Sequence, residues 1–99
     1  MFIEMDFNSD EALYMQLRNQ IIMGIARDML KDGESLPSVR QMASHLGVNM
    51  HTVNKAYALL RQDGYVKLDR RNGAVVSVNL ENKSHHVETI HSDMEMIVA

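Results

Sequence analysis

Residues 36–60, LPSVRQMASHLGVNMHTVNKAYALL, decide the fold because they contain two short helical patterns on either side of a glycine. Ser38 opens the first pattern and Gln41 follows three residues later, which is the spacing of a capping box. Gly47 closes the pattern, since glycine readily adopts the left-handed conformation that ends many helices. The apolar residues between them recur at helical spacing: Val39, Met42, Ala43 and Leu46. The stretch therefore predicts a helix over residues 39–46.

A second, longer helix is predicted over residues 50–63, with Asn49 as its N-cap. One face of this helix is apolar and carries Val53, Ala56, Tyr57 and Leu60. The opposite face is polar or small and carries His51, Asn54, Lys55 and Ala58. A helix with these two faces fits a DNA major groove, which is wide enough to admit it. We interpret the pair as a helix-turn-helix whose second helix is the recognition helix.

Upstream, residues 11–27 form a third helical pattern whose apolar positions repeat every four residues, namely Leu13, Leu17, Ile21 and Ile25. Either Ser9 or Asp10 can cap this helix. The preceding residues 2–7 fit either a short strand or an extended arm, and residues 31–34 predict a turn. We expect the helix to pack across the two helices of the central motif.

Downstream, residues 65–68 and 74–78 are predicted to form the two strands of a hairpin. Its turn is Arg70-Arg71-Asn72-Gly73, in which the Asn-Gly pair permits the positive backbone angles of a tight hairpin. Two arginines at such a tip can contact a backbone phosphate or enter a minor groove. The alternative is a basic turn whose charge only keeps the surface soluble.

The stretch LPSVRQMASHLGVNMHTVNKAYALLRQDGYV resembles the winged helix-turn-helix of the GntR family of bacterial transcription regulators. Upstream, Tyr14-Met15-Gln16-Leu17 resembles the Y-x-Q-[IL] helix of its YtrA-like subfamily, so that the resemblance covers residues 2 to about 78. It implies a mainly α fold with a small β-hairpin, a three-helix bundle plus wing. We expect this DNA-binding domain over residues 1–80 and a short C-terminal helical tail over residues 81–99.

The resemblance also implies a sequence-specific regulator, more often a repressor, that binds double-stranded DNA as a homodimer. An unidentified small-molecule effector is a possible further partner. By position in the family motifs, Arg40 is the strongest candidate for a base or phosphate contact. The other candidate contacts lie at the first cap, on the recognition helix and at the wing tip: Ser38, Asn49, His51, Thr52, Asn54, Lys55, Arg70, Arg71, Asn72 and Gly73. Met50 and His51 depart from the proline or basic residues often found there, which bears on base preference.

The net charge of −3 conceals an uneven distribution of charged residues. Residues 36–80 contain six cations and two anions, a charge of +4, whereas the rest of the chain contains four cations and eleven anions, a charge of −7. Positive charge therefore coincides with the predicted reading elements, as expected of a nucleic-acid-binding surface. Chance clustering on a solvated surface is the alternative.

Several other functions lack support in the sequence. The chain has no cysteine, which excludes disulfides and cysteine-based metal sites and favours a reducing cytoplasm. We expect no signal peptide and no membrane span, because the acidic first residues and the short apolar runs fit neither. His85, His86 and His91 lack the i, i+4 spacing of helical metal ligands, so no metal or cofactor is predicted. No nucleophile–base pair or phosphate-binding glycine loop indicates an enzyme.

The tail after Leu80 has the 3, 4, 3 spacing of a narrow helical seam, at Val87, Ile90, Met94 and Ile97. A single helix of this length is marginal in water, so we expect the seam to pair with a second chain. Capping-box spacing between Ser92 and Glu95 could divide the tail into two helical pieces. A frayed polar end is the alternative.

Two other functions compete with DNA binding. The first is a winged-helix module that binds a protein through the same face. The second is binding of double-stranded RNA, which is disfavoured because a helix cannot enter the deep, narrow major groove of an A-form duplex. Salt dependence discriminates the protein-binding alternative, because binding that releases counterions from DNA weakens steeply as salt is added.

Overall fold

The computed structural model describes residues 3–78 and contains three helices followed by two strands. The elements are α1 (Leu13–Ala26), α2 (Val39–Leu46), α3 (Met50–Gln62), β1 (Val66–Asp69) and β2 (Gly73–Val76). The predicted winged helix-turn-helix, three helices with a hairpin, is therefore confirmed. The predicted dimerisation residues Val87, Ile90, Met94 and Ile97 lie outside the described residues, as do the histidines after Leu80.

Local capping fixes the limits of α2 and α3 as predicted. Ser38 Oγ accepts a hydrogen bond from Gln41 N at 3.1 Å, and Gln41 Oε1 accepts one from Ser38 N at 3.1 Å, so the capping box is complete. Gly47 ends α2 in the left-handed region, with φ of 70°. Asn49 Oδ1 accepts from Thr52 N at 2.9 Å at the start of α3.

The predicted start and cap of α1 are wrong. The helix begins at Leu13, and Ala12 occupies the N-cap position without a side-chain hydrogen bond. The Ser9 hydroxyl is used earlier, where it accepts from Glu11 N at 3.0 Å and stabilises a turn ahead of the helix. This local bond competes with capping, and Asp10 does not take over the role.

Two glutamines of α1 hold the N-terminal residues as an extended arm, which settles the choice left open by the sequence. Gln16 Oε1 accepts from Asp6 N at 2.8 Å, and Gln16 Nε2 donates to Asp6 O at 3.0 Å. One turn later, Gln20 makes the same pair of bonds to the backbone of Glu4, at 2.8 and 2.6 Å. Each side-chain amide thus replaces the neighbour that a β-strand would need, and Ile3 is buried in the core.

The core lies between the three helices and the inner face of the hairpin. Every apolar position predicted for the faces of the three helices is buried or half-buried. The largest fully buried side chains come from α1, α2, α3 and β2, namely Leu17, Ile21, Ile25, Met42, Leu60, Val53 and Val76. Since α1 contributes three of these, it is part of the core, but it packs mainly against α3 rather than across both helices as expected.

The hairpin is antiparallel, with its register running from Val66 opposite Val76 to Asp69 opposite Gly73. Three residues, 70–72, therefore connect the paired residues Asp69 and Gly73. Within residues 69–73, only Gly73 has a positive φ, of 72°. The prediction that Asn72 and Gly73 together form the tight turn is accordingly only half right. Three-residue hairpin loops need a single left-handed residue, and glycine adopts that conformation most easily.

Residues 33–36 add a neighbour to β2 that the sequence did not indicate. The predicted turn at residues 31–34 is present, because Glu34 N donates to Lys31 O at 2.9 Å. The chain then continues along the free edge of β2, with backbone bonds of 2.8 Å from Gly33 N to Val76 O, from Val76 N to Glu34 O and from Leu36 N to Ala74 O. This segment leads directly into α2 and so ties its entry to the hairpin.

Within residues 3–78, no helix combines the length and the apolar character that a membrane crossing requires. The same residues contain no group of three His, Cys, Asp or Glu side chains able to hold a metal ion.

Candidate nucleic-acid interface

The two predicted faces of α3 are present in the structure. Val53, Ala56, Tyr57 and Leu60 are buried, whereas His51, Asn54, Lys55 and Ala58 are exposed. Leucine and tyrosine on the buried face fix the rotation of the helix, because turning it would expose them to water. The exposed face consequently presents the His51 imidazole and the Asn54 amide to a ligand, and the small side chain of Ala58 adds little bulk to this face.

Three predicted contact residues are engaged in capping. Asn49 Oδ1 accepts both from Thr52 N and from the Thr52 hydroxyl, at 2.9 and 3.1 Å. Ser38 is similarly engaged with Gln41 at the start of α2. These side chains shape the two helix N-termini, and any contact they make with a ligand must be added to bonds that already exist.

Lys55 is held towards α1 by an aromatic ring. Its Nζ lies 4.0 Å from the centroid of the Tyr14 ring, a cation–π contact between α3 and the first turn of α1. The ammonium therefore lies at the α1 side of the exposed face. The sequence correctly predicted that Lys55 is exposed, but it gave no indication of the Tyr14 ring that orients it.

Arg40 lies in the first turn of α2 and is exposed. It lines a shallow depression together with Pro37, Gln41, Ser44 and His45. The Arg40 guanidinium has no acidic neighbour in this depression, so its charge is available to an anion. The structure thus places Arg40 in the same depression as His45, which the sequence indicated as a surface residue only.

Tyr57 fixes the segment that precedes Arg40. Its hydroxyl donates to the Pro37 carbonyl oxygen at 2.7 Å, linking the buried face of α3 to the residue before the α2 cap. Burial raises the pKa of Tyr57 well above its usual value, so the phenol remains a protonated donor at neutral pH. The apolar spacing of α3 predicted Tyr57 as a core residue, but spacing alone gives no indication of this bond.

The hairpin tip is organised by Asp69. Its Oδ1 accepts from Arg71 N at 2.8 Å, and its Oδ2 accepts from Asn72 Nδ2 at 3.4 Å. These bonds, chiefly the one from the Arg71 backbone amide, lower the pKa of Asp69. Arg70, Arg71, Asn72 and Gly73 are all exposed at the tip. Asn72 and Gly73 carry no charge, so the two arginines supply the positive charge of the tip.

The predicted site residues thus fall into three groups: the α2 start with Arg40, the exposed face of α3, and the hairpin tip. A groove lined by Asn54 and Arg61 of α3 and by Leu68 of β1 connects the second group with the third. Sequence reasoning did not select Arg61, Leu68 or Asp69 as site residues. Asp69 could have been selected, because an aspartate at the start of a turn often accepts a hydrogen bond from the backbone amide two residues later. The groove shared by Arg61 and Leu68 depends on tertiary packing and could not be read from the sequence.

Comparisons with known proteins agree with this geometry. A family model described as bacterial regulatory proteins, gntR family, matches residues 11–76. The chain is 33% identical over 75 residues to the uncharacterized HTH-type transcriptional regulator YhcF of Bacillus subtilis, covering 76% of this chain and 62% of YhcF. It is 34% identical over 77 residues to the HTH-type transcriptional repressor YtrA of the same organism, covering 78% of this chain and 59% of YtrA. The chain therefore spans about three fifths of the length of these curated relatives.

Among solved structures, the chain is similar to YtrA from Sulfolobus acidocaldarius, a GntR-family transcription factor. The two share 37% sequence identity with a TM-score of 0.80, and the match covers 98% of this chain and 84% of that one. The likeness extends to the order of the three helices and the hairpin.

Proposed function

The chain belongs to the gntR family of bacterial regulatory proteins, and from this membership we propose that it is a DNA-binding transcription regulator. The observation that carries the proposal is the exposed polar face of α3, presented beside a hairpin whose tip carries Arg70 and Arg71. A helix of this kind inserts into a major groove, and basic hairpin tips contact phosphates or a minor groove. The relatives are named as transcriptional regulators, which supports the prediction that this chain is not an enzyme.

The finer features of the proposal rest on analogy and on sequence pattern. Repression is favoured because the similar YtrA of Bacillus subtilis is named a repressor. We propose that residues 1–80 form the DNA-binding domain and that residues 81–99 make a homodimer. Two-fold pairing sets two recognition helices about one turn of DNA apart, so the operator is an inverted repeat. Action in the cytoplasm follows from a DNA target in a bacterial cell, and an unidentified effector remains a candidate partner.

The DNA contacts proposed for the site follow its three groups. Arg40 binds a guanine or a phosphate from the start of α2. His51 and Asn54 face the bases, and Lys55 contacts the backbone from the α1 side. The capped N-termini present Ser38, Asn49 and Thr52, and the wing tip presents Arg70, Arg71, Asn72 and Gly73.

One experiment tests the proposal against the protein-binding alternative. Sequences that bind the full chain are selected from a random duplex pool, and the selected duplex and a scrambled duplex are then titrated over a salt series. We expect affinity to fall steeply with added salt, because neutralised phosphates release counterions. Binding that responds weakly to salt and does not enrich any sequence would support a protein-binding module instead.

Replacement of Arg40 by alanine gives the residue-level test. We expect the variant to lose about 1 to 3 kcal/mol of affinity for the selected duplex if the guanidinium reads a guanine. Arg27→Ala is the matched control, since Arg27 is an exposed arginine at the C-terminus of α1. Equal affinity of Arg40→Ala and the control for the selected duplex would contradict the assignment of Arg40.

A further inference from the structure

A groove separates the recognition helix from the hairpin, and it belongs to none of the contacts proposed above except at Asn54. Tyr57 and Val66 form its floor, and Ala58, Arg61 and Leu68 form its rim. Its volume of about 360 Å³ is that of a small binding cleft. We call it the α3–hairpin groove.

Leu68 is the unusual residue of this groove. It is 65% exposed, the largest exposure among the large apolar side chains of residues 3–78. It follows Val66 by two positions, and side chains two apart on a strand share a face. Val66 is buried at 3% exposure against the core, so Leu68 faces the same side but extends beyond the cover that α3 provides. A single exposed leucine is ordinary, but this one forms the rim of a groove whose opposite rim carries a cation.

The geometry of a DNA duplex indicates what fits between a helix and a hairpin tip. The major and minor grooves of a duplex are separated by one sugar–phosphate strand. A protein that places α3 in a major groove and the hairpin tip at the adjacent minor groove must therefore straddle that strand. Resting on the proposed function, we propose that the α3–hairpin groove seats the backbone of one DNA strand, with Arg61 binding a phosphate and Leu68 packing against a deoxyribose.

The charges around the groove suit a polyanion. Arg61 is exposed on one rim, and the two tip arginines follow β1 within three residues of Leu68. The acid nearest to Leu68 in sequence, Asp69, directs its carboxylate oxygens to Arg71 N and to the Asn72 amide. Its negative charge is thus partly compensated within the hairpin.

The apolar rim suits the other half of the backbone. The carbon-bound hydrogens of a deoxyribose are apolar, so Leu68 can lose water against them without leaving a polar group unpaired. Ala58, the small residue on the α3 rim, leaves room for the strand to approach. Contacts with sugars and phosphates carry no direct sequence information. The groove should accordingly contribute affinity on every duplex and leave discrimination between sequences unchanged.

The test uses the full chain with the selected and the scrambled duplex. Arg61→Gln should weaken binding to both by roughly tenfold, the effect of losing one charged hydrogen bond, and should shallow the salt slope by about 0.9. Leu68→Gln should weaken both by roughly threefold to tenfold through lost apolar contact, with the salt slope unchanged. Leu68→Glu should weaken binding further, because it places a negative charge against the phosphates.

Matched controls come from the C-terminal end of α1, which lines a different surface groove. Arg27→Gln removes the same charge as Arg61→Gln, and Met23→Gln replaces an exposed apolar residue as Leu68→Gln does. Both should bind like the wild type. Thermal unfolding of all the variants checks that each is folded, which the exposure of the four side chains favours.

Neutral methylphosphonates introduced one at a time into the selected duplex identify the phosphate. One position should weaken the wild type but not weaken Arg61→Gln any further. If Arg61→Gln and Leu68→Gln bind like their controls while the wild type binds with steep salt dependence, the groove does not seat the strand and the proposed function stands. If the wild type itself shows no salt-dependent binding, both the proposed function and this inference are overturned.

Discussion

Tyr57 illustrates how a core residue can also shape the interface. Its ring lies on the buried face of α3, and its hydroxyl donates to Pro37 O at 2.7 Å. We expect Tyr57→Phe to lower the free energy of unfolding by about 1 kcal/mol, the usual net value of such a bond. Urea unfolding measures the loss. Tyr14→Phe serves as the control, because it removes the hydroxyl of a less buried tyrosine, and an equal loss in both variants would contradict the role of the Pro37 bond.

The same tyrosine predicts how stability depends on pH. Burial raises the folded-state pKa of Tyr57 above its unfolded value, which is about 10. The stabilisation is fully present below the unfolded pKa and is lost as pH rises through the folded-state value, because unfolding then releases a proton. The wild type should therefore lose stability above about pH 10 more steeply than Tyr57→Phe. Burial also raises the pKa of Tyr65, so Tyr57→Phe should still lose some stability with rising pH, but with a smaller slope than the wild type.

A third residue-scale prediction concerns the cation–π contact of Lys55 with the Tyr14 ring. With Nζ 4.0 Å from the Tyr14 centroid at a surface site, we expect a coupling of about 0.5 to 1 kcal/mol. A double-mutant cycle with Tyr14→Leu and Lys55→Met measures it from unfolding free energies. Tyr14→Phe should preserve the coupling because it keeps the ring. A coupling that vanishes with Tyr14→Phe would show that the hydroxyl, not the ring, holds Lys55.

At the scale of elements, the two arginines of the hairpin tip can be replaced without removing the hydrogen bond that organises the turn. Asp69 binds the backbone N–H of Arg71, so replacing the arginine side chains leaves the turn intact. We expect Arg70→Ala with Arg71→Ala to weaken binding on all duplexes alike and to shallow the salt slope by up to about 2. Arg27→Ala with Lys31→Ala removes the same charge elsewhere. A salt slope that matches this control would mean that the wing does not touch the phosphates.

The helix limits also show which parts of the fold can be predicted from the sequence. The limits of α2 were predicted correctly because Ser38, Gln41 and Gly47 act within the helix or at its ends. The start of α1 was not, because the glutamines that organise it bond to backbone 10 and 16 residues away. Such partners leave no periodic trace, although Gln16 itself belongs to the recognised Y-x-Q motif.

The site divides along the same line. Exposure on α3 follows from helical spacing, and the basic tip follows from the turn residues, so both could be predicted. Residues 33–36 meet β2 across some 40 residues of chain, and Lys55 meets Tyr14 across a similar separation. The orientation of Lys55 and the α3–hairpin groove therefore became visible only with tertiary structure.

At the scale of the whole molecule, the two charge regions have consequences for docking. Among the described residues, residues 36–78 carry +4 and residues 3–35 carry −4. A polyanion such as a DNA duplex attracts the first region and repels the second, so we expect the field to favour approaches in which α2, α3 and the hairpin lead. Added salt screens this orientation and should slow association.

Truncation after Leu80 tests whether the tail makes the dimer, and it should not disturb the domain because the last described residue, Val78, is hydrogen-bonded to it. Val78 N donates to Asp32 Oδ1 at 2.8 Å, which fixes the end of the hairpin beside the loop that follows α1. We expect a chain ending at Leu80 to fold, because it retains the described core and the hairpin. We expect the full chain to sediment as a dimer and the chain ending at Leu80 as a monomer, because the apolar seam Val87, Ile90, Met94 and Ile97 would be missing.

A point variant separates the seam from the rest of the tail. Ile90→Asn places an amide in the predicted seam and should shift the full chain towards monomer, whereas Glu88→Asn, outside the seam, should leave the dimer unchanged. Loss of the dimer should also weaken binding to the inverted repeat far more than binding to a single half-site, because the second recognition helix is no longer tethered to the first. A dimer that persists in the chain ending at Leu80 would assign dimerisation to the domain itself, and the tail would then need another role.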